Sequence, residues 1–162
     1  MQARTLTELR AALENVDDKT RKTVRMPKTL PHIAWDELDY LGWRDPSAQQ
    51  RGYIFIEHNK RLRGIMVTHA PAKTSVSRAV MCAFCRIPLR FEQVVLFTAA
   101  ISSHSKELST RGTYLCTDLD CNIRVNALQP ATPLDPPAEE LVAEKRRALA
   151  TRTTAFIEAV MR

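Results

Sequence analysis

Glycine is scarce in this chain of 162 residues: Gly42, Gly52, Gly64 and Gly112 are all there are, and they never assemble a loop that could cradle a phosphate. No Gly-x-Ser-x-Gly elbow occurs, and none of His32, His58, His69 and His104 opens the His-x-Glu pattern of a zinc deaminase. Nowhere do 18 apolar residues follow one another, which excludes an ordinary membrane-spanning helix. The amino terminus, MQARTLTELR, lacks the apolar run of a signal peptide, which predicts a soluble, cytoplasmic protein. Internal repeats and low-complexity tracts are missing as well. With no catalytic constellation in view, the expectation is a protein that is not an enzyme, has no small-molecule substrate and makes no membrane contact.

What is present suits one folded domain. Hydrophobic residues make up 44% and charged residues 26%, both near globular averages. The formal net charge of +6 is unevenly placed: residues 1–50 carry eight basic and eight acidic groups, 131–162 five of each, and 51–130 eleven basic against five acidic. The whole excess therefore falls on the stretch that holds every cysteine. A basic surface favours a partner of negative charge, nucleic acid or acidic protein, without choosing between them.

Along the chain, Thr5 and Glu8 form a capping-box pattern ahead of Leu6, Leu9, Leu13 and Val16, which predicts an amphipathic helix. The basic cluster Lys19, Arg21, Lys22, Arg25 and Lys28, diluted by Asp17 and Asp18, reads as a solvated connection. IAWDELDYLGWRDP, residues 33–46, concentrates large aromatics that anchor the amino-terminal segment to the core. Strand-like runs then begin at Tyr53: YIFIEH and LRGIMVTHA joined as a hairpin, and VVLFTA and GTYLC flanking a polar loop that contains His104. A proline-rich linker, QPATPLDPPA, leads to a helix starting at Asp135 and Pro136 and running to Met161, with Val142, Leu149 and Phe156 seven residues apart.

The cysteines stand as Cys82-x-x-Cys85 and Cys116-x4-Cys121. A protein of a reducing compartment makes little use of structural disulfides, so metal comes first. Each pair can turn two sulfurs toward one ion, and two pairs supply the four thiolates of a closed, tetrahedral, structural Zn2+ site. Thr117 as a helix cap, with Asp120 three residues on, predicts a helix whose first turn carries Cys121, where the dipole favours a thiolate. Knuckle, hairpin and ligand-bearing helix follow the plan of a treble-clef zinc finger. Free buried cysteines would not explain the paired spacing. A redox Cys-x-x-Cys would want a βαβ pattern, and iron fits the same four thiolates. Arg86 and Arg124 stand ready to offset the negative charge of such a site.

LGWRDP at residues 41–46, the Cys82-Ala-Phe-Cys85 knuckle, VVLFTA, and above all GTYLCTDLDCNIRVN at residues 112–126 resemble the bacterial elongation factor G-binding proteins, whose best-known members confer fusidic acid resistance. The likeness covers nearly the whole chain and all four cysteines. It points to the short, zinc-finger-only form, since only about 45 residues precede the β region, too few for the usual helical bundle. The resemblance implies a ribosome-associated protein that docks on elongation factor G and modulates its release from the ribosome. The alternative is a zinc finger that contacts ribosomal RNA through the same basic face.

The expected architecture is α+β: a small antiparallel β core with a treble-clef zinc finger, an amino-terminal helical segment over 1–50, a β-rich finger region over 51–130, and a linker with a long carboxy-terminal helix over 131–162. Cys82, Cys85, Cys116 and Cys121 are the expected metal ligands; Arg86, Arg90, Arg111, Tyr114 and Arg124 are the expected partner-binding residues.

Overall fold

The computed structural model describes residues 1–70, 79–101 and 109–162; His104 and its loop lie outside the described residues. Helix α1 (Leu6–Ala12) opens as its sequence predicts. The Thr5 hydroxyl accepts from the Glu8 amide at 3.3 Å and the Glu8 carboxylate accepts from the Thr5 amide at 2.7 Å, a reciprocal capping box. The basic stretch after it is not a mere connection. Asp17 accepts from the Thr20 amide at 2.7 Å and caps a short helix, α2 (Asp18–Thr23), whose Arg21 reaches back to the Leu13 carbonyl. One carboxylate at the positive end of the helix outweighs the like charges along it.

Among the described residues seven strands follow: β1 (Leu41–Arg44), β2 (Arg51–His58), β3 (Arg61–His69), β4 (Ala79–Met81), β5 (Pro88–Arg90), β6 (Val94–Ala100) and β7 (Thr110–Cys116). Five of them form one antiparallel sheet in the order β1-β2-β3-β6-β7, and β4 pairs with β5 in a separate small hairpin. β1 precedes the strand-like runs read from the sequence, because four residues interrupted by Gly42 show no period. The β2–β3 hairpin closes through Asn59 and Lys60, both at positive φ, 50° and 62°, as a two-residue turn of type I′ requires.

β2 reads as a continuous apolar run because both faces of the sheet are covered. Tyr53 and Phe55 face a cluster with Leu9, Leu13, Val24 and Trp43, closed by α1 and the segment 24–43. Ile54 and Ile56 face a second cluster closed by the cysteine region and the last helix. At Gly64 a Cβ would stand 2.3 Å from the Phe55 ring, so only glycine lets that ring lie across β3.

Two further helices complete the second face: α3 (Cys121–Asn126) and α4 (Ala138–Met161). α4 starts later than Asp135 and Pro136 suggest. The Asp135 carboxylate is engaged by the Ala131 and Thr132 amides at 2.9 and 2.7 Å, so it closes the preceding turn instead of capping the helix. With 24 residues, α4 is about 36 Å long, and it buries Leu149, Thr153, Ile157 and Val160 along one face against the sheet. No helix among the described residues is long and apolar enough to cross a membrane.

Candidate metal centre and the surface around it

Each cysteine arrives on a different kind of backbone. Cys82 and Cys85 sit in the turn between β4 and β5, Cys116 ends β7, and Cys121 is the first residue of α3. Both turns close in the left-handed region. Arg86, at φ 58°, donates its amide to the Cys82 carbonyl at 3.0 Å, and Leu119, at φ 57°, donates to the Cys116 carbonyl at 2.9 Å. Neither residue is glycine, so each conformation costs roughly 1 kcal/mol or more and persists only where its surroundings fix it. The helix cap also differs from the sequence reading. α3 begins at Cys121 with Asp120 as its N-cap, and the Thr117 hydroxyl donates to the Glu92 carbonyl at 2.9 Å. Leu119 supplies the turn that a Thr117 cap would have supplied, and Cys121 still lies in the first helical turn.

The structure brings all four sulfurs together. They lie within 4.8 Å of one another, all are buried, and none is in a disulfide. The closest separations are 3.6 Å for Cys82 to Cys121, 3.7 Å for Cys85 to Cys116 and 3.6 Å for Cys116 to Cys121. Four thiolates at about 2.3 Å from one tetrahedral zinc would stand roughly 3.8 Å apart, close to these three separations, so the cage suits that ion. Its protonation points the same way. Cys82 and Cys85 are held below the usual thiol range, chiefly by hydrogen bonds from Cys116 and then Cys121. Cys121 is pushed far up, first by Cys116; at Cys116 the Cys121 thiol favours the thiolate, but Cys82 and Cys85 outweigh it and push the group up. Two sulfurs ionise easily and two do not, until a divalent cation replaces the remaining protons.

The surroundings hold this cage from the opposite side of the chain. Tyr40, fully buried, donates its hydroxyl to the Leu119 carbonyl at 2.8 Å and accepts from the Cys121 amide at 3.3 Å. Burial, then the neighbouring Cys121 sulfur, pushes this phenol well up, so it stays a neutral donor. Asn122 binds the same segment twice, donating to the Tyr40 carbonyl at 2.7 Å and accepting from the Asp39 amide at 2.8 Å. Arg152 on α4 donates to the Phe84 carbonyl inside the knuckle. Sequence reasoning missed Tyr40, Asn122, Leu119 and Arg152 as supports of the site. An aromatic cluster around Tyr40 is visible in the sequence, but nothing there links it to a cysteine some eighty positions away.

Of the expected surface residues, Arg124 is bound to Asp120 at 2.9 Å; burial works against its charge, but Asp120, Cys116 and Cys85 hold it on. Arg86, Arg90 and Arg111 are exposed, and no ion pair is formed by them among the described residues. Tyr114 is 46% exposed and stands directly across from Leu96, which is exposed to the same degree. The Tyr114 carbonyl accepts from the Ala83 amide at 2.8 Å, which joins this strip to the knuckle, where Met81 is half exposed beside the Arg86 guanidinium. The structure thus gathers Arg86 and Tyr114 around one apolar strip, with Arg90 paired to β4, whereas Arg111, three residues from Tyr114 on β7, faces the other side of the sheet. Arg124 serves the finger's interior.

The family model described as the FBP C-terminal treble-clef zinc-finger matches residues 8–160. The match spans both helical ends as well as the cysteine region. No curated protein and no solved structure matches the chain. With the four-sulfur cage, the match makes one structural zinc ion the cofactor of this site.

Proposed function

The chain belongs to this treble-clef zinc-finger family, and from that premise we propose that it is a non-enzymatic, cytoplasmic binding protein that docks on elongation factor G, or on the ribosome carrying it, and modulates its release. One observation carries the reading. A closed zinc cage stiffens an exposed strip of Met81, Leu96 and Tyr114, flanked by Arg86 and Arg90, and these arginines have no carboxylate partner among the described residues. Four sulfurs leave zinc no open position for water, so the ion shapes a surface and activates nothing. Half-exposed aromatics and arginines are the residue types that anchor protein interfaces.

A direct contact with ribosomal RNA is the second reading, favoured by the same unpaired arginines. A pull-down of the zinc-loaded chain against purified elongation factor G, with and without nuclease, separates the two. The first reading expects capture that survives nuclease and falls at least tenfold in Arg90→Glu and in Tyr114→Ala, with zinc content unchanged because both side chains are exposed. Capture that disappears with nuclease, and that weakens with salt by about 0.7 to 0.9 log unit per log unit for each phosphate contact, would replace it with the RNA reading.

A further inference from the structure

β1 forms the edge of the sheet opposite β7, and a groove of about 790 Å³ runs along it. The register decides which backbone groups face that groove. β1 pairs with β2 as Leu41 with Phe55, Gly42 with Ile54, Trp43 with Tyr53 and Arg44 with Gly52, and the Asp45 amide donates to the Arg51 carbonyl at 3.0 Å. Hydrogen-bonded and non-hydrogen-bonded pairs alternate along an antiparallel ladder. Leu41, Trp43 and Asp45 therefore bond to β2, while the amides and carbonyls of Gly42 and Arg44 point away from it. Both residues line the groove, and these four groups have no partner among the described residues.

The groove is walled on both faces of the sheet. Leu119, Ile123 and Ala127 stand on the finger side, and Leu30, Ile33 and Leu38 on the amino-terminal side. Ile123 is 71% exposed, although it sits on the helix that carries a metal ligand. A compact apolar molecule could touch these walls but would leave the four backbone groups unsatisfied. An extended chain satisfies both, since its alternating side chains meet the two walls while its backbone pairs with β1.

Charge narrows the occupant. Glu37 and Asp118 are exposed at the rim and form no ion pair among the described residues, and Asp120 is already held by Arg124. Arg44, turned toward the Gln49 carbonyl and His69, keeps its charge, so the lining carries three carboxylates against one guanidinium. In a chain whose net charge is +6, this edge is locally acidic.

We propose that the β1 edge is a strand-addition site for an extended segment of another protein, with about three consecutive apolar residues flanked by lysine or arginine. The site is separate from the Tyr114 strip, so either can fail without the other. Three fluorescein-labelled peptides, with Val-Ile-Val, Phe-Val-Ile or Leu-Val-Phe cores between pairs of lysines, probe it by anisotropy and amide NMR on the zinc-loaded chain. At least one should bind saturably and shift the Gly42 and Arg44 amides. Methylating alternate backbone nitrogens of that peptide, replacing its lysines by glutamate, or introducing Ile123→Asp should each weaken binding at least tenfold, while Ile123→Asp leaves zinc content intact and Arg90→Glu leaves binding unchanged. Failure of all three peptides, binding indifferent to N-methylation, or Gly42 and Arg44 shifts that vanish on dilution of the protein alone, which would make the occupant a second copy, would each overturn the proposal.

Discussion

The two faces of the sheet are closed by different physics. On the amino-terminal face, Trp43 stacks on Phe55 at 5.2 Å with 11° between the rings, tilts against Tyr53 at 5.3 Å, and donates to the Arg25 carbonyl at 2.9 Å. Large aromatic area, capped helices and one satisfied indole suffice there. On the finger face the long helix α4 and the ring contacts of Phe84 with Tyr40 and Phe156 form a lid. The cysteine region beneath it, however, is built from a three-residue pair of strands, β4 and β5, a six-residue helix, and two turns in left-handed conformations at Arg86 and Leu119. Elements so short do not hold themselves. What unites them is the four-sulfur cage, whose members belong to the hydrophobic cluster itself. Where local structure is weak, an ion supplies the order that aromatic packing supplies elsewhere.

Removing the ion should break the symmetry between the faces most sharply. Binding free energies of structural zinc sites are of order 10 kcal/mol and are folding free energy, comparable to the whole stability of a small domain. A strong chelator, or Cys121→Ser, should abolish zinc uptake and strip hydrogen-exchange protection from β4, β5 and α3 first, leaving the β2–β3 hairpin under α1 the most protected part. Equal loss over both faces would show that they fold as one unit, and an unchanged melting temperature would make the ion incidental. The converse experiment is Trp43→Ala. It should cost about 3–5 kcal/mol in urea unfolding, as large aromatic truncations in cores do, while one zinc per chain is retained. Loss of zinc in that variant would mean that the amino-terminal face also organises the cage.

The legible and illegible parts of this molecule divide by the same logic. Cysteine does few things as well as it binds metal, so its identity and pairing at 82, 85, 116 and 121 carried the site directly. The Thr5 capping box and the hairpin across His58 to Arg61 were equally readable, because a local hydrogen bond or a short polar break between two apolar runs is written in neighbouring residues; that the turn itself is only Asn59 and Lys60 came from the register. β1 and α2 were missed: one is too short for a period, and the other depends on a single cap at Asp17. Long-range polar contacts left no trace at all. Asn122 looks like any helix-surface asparagine until Asp39 and Tyr40 are placed beside it. Arg86 and Tyr114 were readable as surface candidates, whereas the apolar company of Leu96 and Met81 required the cross-strand register and the knuckle's position.

Tyr40 is where the two regimes meet, and its hydroxyl gives the finest test of the contrast. Tyr40→Phe keeps the ring and its edge-on contact with Phe84 at 5.6 Å but deletes the donor to the Leu119 carbonyl and the acceptor for the Cys121 amide. Both backbone groups are buried, and leaving such groups unpaired costs about 1–3 kcal/mol each, so a loss of about 2–6 kcal/mol is expected in the zinc-loaded chain. If the hydroxyl acts through the cage, the variant also surrenders zinc to a chelator several-fold faster, and the stability loss shrinks once zinc is absent, because the Cys116–Cys121 turn is then no longer held in place. An equal loss with and without zinc would assign the bond to ordinary packing between the amino-terminal segment and α3, and the division between an ion-built face and an aromatic-built face would then run through Tyr40 rather than around it.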